Sequence, residues 1–473
     1  MKRSSLILAI ALALFAVPAL GGQNLYVLNQ GDDNVTVIDT WSGVVLGDFR
    51  VKSPARDLDA AHRSDFVVIA GKNDITWLHS ANGYQRVDLQ LVFGGNESVA
   101  IGLSPDDRYV YVAQTDPDNV FRVDLQHSDT LSCLERADGD CDLNSRAQLQ
   151  LNTGVRDPVH MAVCDDGVVY LVGVTGEVSR HEPTSNGFSS LAIPAPRPAD
   201  PRGIACTPDN GVVIMSGDRV LTEVLPGSSP VVNHYRNMPV ADPGRIDVDP
   251  RRFGRDYQVL LTDRASGEIV RVENAALVER FALKGAAGQP LPWAVTAAAN
   301  GMLGTANQGV DGATILYQWW AQLPRPTGAR PIDADFGPVQ GAAVEADPYN
   351  LEFVYGAGNS NSASQNMFLR SSGTSTLVIA RVEIRGSADF SVKSDGCTGR
   401  SLAPGQTCSL SIGFSNPGTH GGPAYPNFNA DLRVSHNGNP TAVNDFPLKA
   451  ISFKQYIEQQ IGSPAYAEEP FLK

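Results

Sequence analysis

The stretch Asp138-Gly139-Asp140-Cys141-Asp142-Leu143-Asn144 puts oxygen-bearing side chains at every second position. In a tight loop, ligands at that spacing converge on a hard cation such as Ca²⁺, as at the opening of an EF-hand loop. Such a loop needs glycine at its sixth position and a bidentate Glu at its twelfth, where Leu143 and Leu149 stand. An EF-hand is excluded. What remains is an acidic loop in which Asp138, Asp140, Asp142 and Asn144 either hold a structural Ca²⁺ or are simply solvated. A second set, Asp57, His160, Arg202 and Arg245, supplies acid, base and cation at comparable places near the starts of repeated units. The stronger catalytic signatures are missing. The eight histidines form no i, i+4 pair and no H-E-x-x-H, and there is no G-x-S-x-G elbow, C-x-x-C or C-x-x-C-H.

The elements that would carry these residues are short strands. From Val99 to Leu125 the turn formers Ser104-Pro105-Asp106-Asp107 and Asp116-Pro117-Asp118 separate three apolar, alternating segments, most of a four-stranded meander. The outline recurs at roughly 40 to 50 residues, the spacing at which four-stranded sheets close into a propeller. Units begin after residue 22 and near Ala55, Val99, Asp157, Asp200, Asp242 and Pro292, which gives seven, with six as the alternative count. The first unit, Leu25 to Val45, lacks the innermost strand of the others. In a ring, the other terminus can supply it and remove the exposed edge.

The words Leu25-Tyr26-Val27-Leu28-Asn29 to Gly43 and Ser104-Pro105-Asp106-Asp107 to Asp124 resemble the YVTN-type repeat of secreted bacterial β-propellers. The resemblance covers residues 22–320 and implies a fold, not an activity, since propellers host unrelated functions. From 321 to 347 Pro and Gly occur without periodicity, which reads as an interdomain linker. A second alternating pattern then fills 348–454, with about seven short strands that suit an immunoglobulin-like sandwich. Within it, Asp389-Phe390, Cys397, Leu402-Ala403-Pro404-Gly405-Gln406-Thr407-Cys408 and Phe414 to Gly418 resemble the ASPM–SPD-2–Hydin, or choice-of-anchor, domains of secreted bacterial proteins. That resemblance implies an adhesive or scaffolding module. Asn416 before the proline and the Gly/Pro-rich insert at 419–427 depart from the family pattern. Residues 455–473 form a tail.

Composition agrees with an exported, all-β chain. Gly numbers 45, Pro 31 and charged residues 19% of 473, which fits many turns between short strands. A net charge of -14 argues against nucleic acid and anionic lipid, both of which need clustered Lys and Arg. Met1 to Ser5 is a basic start, Leu6 to Leu20 an apolar run and Ala19-Leu20-Gly21 a small-x-small cleavage site, so residues 1–21 read as a signal peptide. No later stretch reads as an integral membrane segment. A secreted or periplasmic location permits disulfides, and the six cysteines fall into Cys133 with Cys141, Cys164 with Cys206 and Cys397 with Cys408. Six cysteines allow fifteen connectivities, and buried free thiols are an equal alternative for Cys164 and Cys206.

The expected function is an exported, non-enzymatic binding, adhesion or scaffold protein that recognises a protein or glycan and uses no cofactor. The alternative is a propeller enzyme, a lactonase-like hydrolase or cofactor-dependent dehydrogenase, with Asp57, His160, Arg202 and Arg245 at the mouth of the central channel.

Overall fold

The computed structural model describes residues 23–452 except 41, 53, 81–82, 92–96, 116–117, 136–138, 144–146, 153, 185–186, 193–196, 228–229, 250–256, 285–287, 299–300, 318–320, 340, 348–350, 356–361, 416–427 and 439–442. The signal peptide and the tail expected from sequence lie outside the described residues. No helix among those described is long and apolar enough to cross a membrane.

Among the described residues the repeated units fold into seven small sheets. Each has an inner strand, and these are Pro331–Phe336, Asp57–Ala60, Glu97–Leu103, Pro158–Val163, Pro201–Cys206, Pro243–Val248 and Pro292–Ala297, for the first to the seventh sheet. The inner strands touch in that cyclic order and the seventh meets the first, so the sheets close around a channel as a β-propeller.

Sequence explains the radial gradient. Second strands such as Phe66–Ala70, Val169–Gly173 and Val212–Ser216 are buried along their whole length because both faces meet a neighbouring sheet. Outer strands lose one neighbour, and Val45–Arg50 alternates exposed and half-buried residues. Apolar cores therefore lie between sheets rather than on the axis. Tyr26, Leu28, Val35 and Val37 of the first sheet pack on Leu58, Val67 and Ile69 of the second, while Leu25, Val27 and Ile38 pack on Ala294, Ala306 and Ile315 of the seventh. Near the axis the backbones converge. A Cβ on Gly203 would stand 3.0 Å from the Ile246 nitrogen, and one on Gly244 would stand 2.5 Å from the Trp293 carbonyl oxygen. Glycine there permits the close approach of successive inner strands.

The expected linker at 321–347 is corrected by the structure. Ala321–Pro326 is the outer strand of the seventh sheet, paired with Gly312–Tyr317. Pro331–Phe336 pairs with Asn24–Asn29 and is the inner strand missing from the first unit. Val344–Asp347 already belongs to the next region. The prolines misled the reading: both strands lie at sheet edges, where a missing amide is tolerated.

The acidic stretch is also corrected. At its described positions it is a strand, Gly139–Asp142, added in parallel to Arg86–Gln90 as the fifth strand of the second sheet. A short helix, Ser128–Leu134, precedes it, and Cys133–Cys141 ties the two together. The chain then returns to the third sheet with Gln148–Asn152.

Residues 344–452 form two facing sheets. One orders Val344–Asp347, Ser362–Ser371, Thr407–Ser415 and Phe390–Asp395; the other orders Leu351–Tyr355, Val443–Ser452, Phe428–His436, Leu377–Gly386 and Ser401–Leu402. Phe353, Phe390, Phe414 and Phe428 share one core with aliphatic residues of both sheets, and Cys397–Cys408 closes its edge. Gly405, at φ 79°, lies against the Arg63 guanidinium of the propeller, where a Cβ would come within 2.9 Å of Arg63 Cζ.

Candidate functional site

The start of most inner strands is built for a special geometry. Pro158, Pro201, Pro243, Pro292 and Pro331 open their strands, so the first position carries no amide needing a partner. Just beyond, the register slips at Val99, Val159, Arg202, Gly244-Arg245, Trp293 and Ile332. Bulges re-aim side chains and are frequent at rims. They mark the end of the channel at which the inner strands begin.

Within the channel lies a cavity of about 280 Å³ lined by all seven inner strands. Its wall has two characters. The third to fifth sheets contribute Ile101, Gly102, Met161, Ala162, Val163, Ile204 and Ala205; the sixth, seventh, first and second contribute Asp247, Thr296, Asp333, Asp335, Asp57 and Asp59.

The carboxylates have a main-chain task. Inner strands are not hydrogen-bonded across to the next sheet, so their channel-side amides need acceptors. Leu58 and Ala60 donate to Asp333 (3.1 Å) and Asp335 (2.9 Å), Ile101 and Leu103 to Asp57 (2.9 Å) and Asp59 (2.6 Å), and Ala297 to Asp247 (2.7 Å). Each carboxylate thus ties its own sheet to the following one. The Thr296 hydroxyl extends the chain of ties, donating to Asp335 at 3.1 Å.

Of the residues singled out in the sequence, Asp57, His160 and Arg245 line this cavity. Arg245 Nη1 bridges Asp57 (2.5 Å) and Asp333 (2.7 Å) across the axis. Burial opposes the guanidinium charge, but Asp333 and Asp57 more than compensate and hold it protonated. The paired Asp333 is nonetheless held well above the ordinary carboxylate range by burial, against the pull of Arg245. His160 is pushed down to about 4 by burial and then by the Arg245 charge, although Asp57 and the Pro201 carbonyl favour its cation. It is neutral at pH 7. Arg202 is not part of the lining; it turns to Asp200 at 2.7 Å and reaches His160 only through its charge.

Sequence reasoning missed Asp59, Asp247, Asp333, Asp335 and His62. A signal was present: Asp57-Leu58-Asp59, Asp247-Val248-Asp249 and Asp333-Ala334-Asp335 repeat Asp-x-Asp along or at the end of the inner strands. Burial drives Asp247 up to about 7 despite two amide donors, and drives Asp59 well above the usual range with Asp335 as the next cause. His62 follows the end of the second inner strand with its side chain 38% exposed, and desolvation works against its cation while Asp107, 3.4 Å away, prevails and raises its affinity for a proton. The same Asp107 accepts the amides of His62, Arg63 and Ser64 at 2.7–2.9 Å.

The proposed Ca²⁺ ligands do not converge where they are described. Asp140 lies on an extended strand with its carboxylate 3.1 Å from Lys52 Nζ. Asp142 follows on the same strand, and Asp138 and Asn144 lie outside the described residues. Among the described residues no group of three or more acidic, His or Cys side chains is arranged to hold a metal ion. All six cysteines are paired, Cys164–Cys206 joining the far ends of the fourth and fifth inner strands.

No family description matches the chain, and no curated protein matches it. Solved structures similar in outline include a streptogramin B lyase, at 14% identity over 61% of this chain and 90% of that one, with a TM-score of 0.47. Virginiamycin B lyase from Staphylococcus aureus matches at 14% over 57% and 84%, TM-score 0.44. Apo AztD from Citrobacter koseri matches at 12% over 67% and 98%, TM-score 0.48. The propeller assignment rests on the cyclic sheet order; these likenesses bring no activity to the chain.

Proposed function

We propose that the chain is an exported binding or scaffold protein in which a seven-bladed propeller recognises a protein or glycan and an immunoglobulin-like sandwich, from about residue 344, serves as an adhesive module. The observation that carries this reading is the commitment of the channel's polar groups. Asp57, Asp59, Asp247, Asp333 and Asp335 all accept amides, and Arg245 is clasped between two carboxylates. An acid–base catalyst directs such groups at substrate, whereas these are directed at the main chain. Recognition then falls to the outer strands, where Leu46, Leu277 and Val278 are 48%, 49% and 44% exposed. A mixed apolar and polar rim of that kind suits a partner surface.

A second reading, a lactonase-like hydrolase or a cofactor-dependent dehydrogenase, is favoured by one observation. His160 is a neutral imidazole inside the cavity beside Arg245, as a general base would be. The two readings separate in one experiment on the exported protein. Lactone hydrolysis and quinone-linked sugar oxidation are assayed with and without divalent metal, alongside binding to a glycan array and to immobilised cell-surface proteins. The binding reading expects no turnover above blank and saturable binding that Leu277→Glu with Val278→Glu weakens. Turnover abolished by His160→Ala or Arg245→Met would overturn it.

A further inference from the structure

The cavity has two tiers of acid, and they are neutralised differently. In the upper tier, Asp57 and Asp333 enclose Arg245. One step deeper, Asp59 of the second sheet faces Asp335 of the first. Asp59 also meets the Leu103 amide at 2.6 Å and the charge of Asp57 on its own strand. Asp335 receives the Ala60 amide, the Thr296 hydroxyl and the Phe336 amide, at 2.9, 3.1 and 2.8 Å. Asp247 comes from the sixth sheet, held by the Ala297 and Val248 amides at 2.7 and 2.8 Å, with Asp335 and Asp249 as its charged neighbours. His62, 38% exposed, lies near this tier, paired with Asp107 and under the charges of Asp335 and Asp165, and is itself cationic only with a proton.

We propose that the lower tier is a proton-operated latch, closed in mild acid by a hydrogen held on Asp59 where it faces Asp335 and by protonated Asp247 and His62, and loosened as the pH rises through neutrality. Asp59 and Asp335 line one cavity, each already holding a main-chain amide, and burial with the Asp335 charge beside it favours a proton on Asp59 while Arg245 is engaged above. Asp59 and Asp335 staple the second sheet to the third and the first to the second. Their mutual repulsion therefore acts between the first and second sheets. The sign follows from the direction of the shifts. Carboxyls of the unfolded chain ionise near about 4. Asp59 and Asp247 hold their protons higher when folded, so they stabilise the ring fully below about pH 4 and lose that contribution as the pH climbs through their folded values, about 7 for Asp247. His62, raised on folding, loses its contribution in the same direction. The inference is independent of whether the protein binds or catalyses.

The test compares pH 5 and pH 8 for the intact exported protein, by thermal unfolding and by hydrogen exchange of the Leu58, Ala60 and Leu103 amides. The propeller transition is expected several degrees lower at pH 8, with these amides less protected after correction for intrinsic exchange. Asp59→Asn, alone and with Asp247→Asn, should flatten that dependence. An unchanged transition in the wild type, or an equal slope in the Asn variants, overturns the latch. Should the variants fail to fold, hydrogen exchange of the wild type decides: protection of the Ala60 and Leu103 amides lost between pH 5 and pH 8 after correction for intrinsic exchange supports the latch, and unchanged protection overturns it.

Discussion

Around the channel, sheets meet edge-on, and side-chain carboxylates satisfy amides that no strand pairing reaches. In residues 344–452, two sheets meet face to face over Phe353, Phe390, Phe414 and Phe428, with ring centroids 5.1 to 6.0 Å apart. The first arrangement is circular, so each tie depends on the next and on the strand that closes the ring. The second is local. Its aromatic packing and its disulfide, between residues 11 apart, involve neighbours that need no distant partner.

The largest effect should come from breaking the circle. A chain ending at 337 is expected to retain a cooperative propeller transition, and one ending at 330, which lacks Pro331–Phe336, to lose it entirely. Far-ultraviolet circular dichroism on heating distinguishes the two. Equal melting would mean that the ring does not depend on closure. Phe414→Ala comes next. It removes a ring that is 1% exposed and in contact with several others, and should cost about 3–5 kcal/mol in the two-sheet region alone. A matching loss in the propeller transition would show that the regions unfold as one. Smaller again is Cys397→Ala with Cys408→Ala, expected to lower the stability of the same region by about 2–3 kcal/mol. Denaturant titration under oxidising and reducing conditions checks it, since the variant must be insensitive to reductant there.

Much of this comparison was legible in the sequence. Tyr109 to Gln114, Tyr26 to Asn29 and Val169 to Gly173 declare strands through apolar runs between turn formers, and the recurrence of that pattern declares a ring. Cys133 with Cys141 and Cys397 with Cys408 were suggested by the loops they flank and Cys164 with Cys206 by matching places in the repeat, while connectivity, and free thiols for the last pair, stayed open. What stayed hidden depended on distant partners. Pro331–Phe336 is a strand because Asn24–Asn29 needs an inner neighbour, about 300 residues away. Gly139–Asp142 is a strand because the edge of the second sheet accepts it and Cys133 holds it there. The channel was half visible. Asp57 and Arg245 share a place in the repeat, but Asp333 lay in a segment read as linker, so the clasp that joins all three could not be drawn.

The strand that completes the first sheet has a consequence for how the protein comes into being. At synthesis rates of about 5–20 residues per second, Asn24–Asn29 emerges tens of seconds before Pro331–Phe336 exists. A hairpin forms within microseconds, so the first sheet has long been assembled, with one side bare, when its partner arrives. For that interval Leu25 and Val27 lack the neighbours that later enclose them, and their unpaired edge invites association between nascent chains. Ring closure is thus a late event in the life of each molecule, and a holding chaperone that shields an open strand edge would act before it.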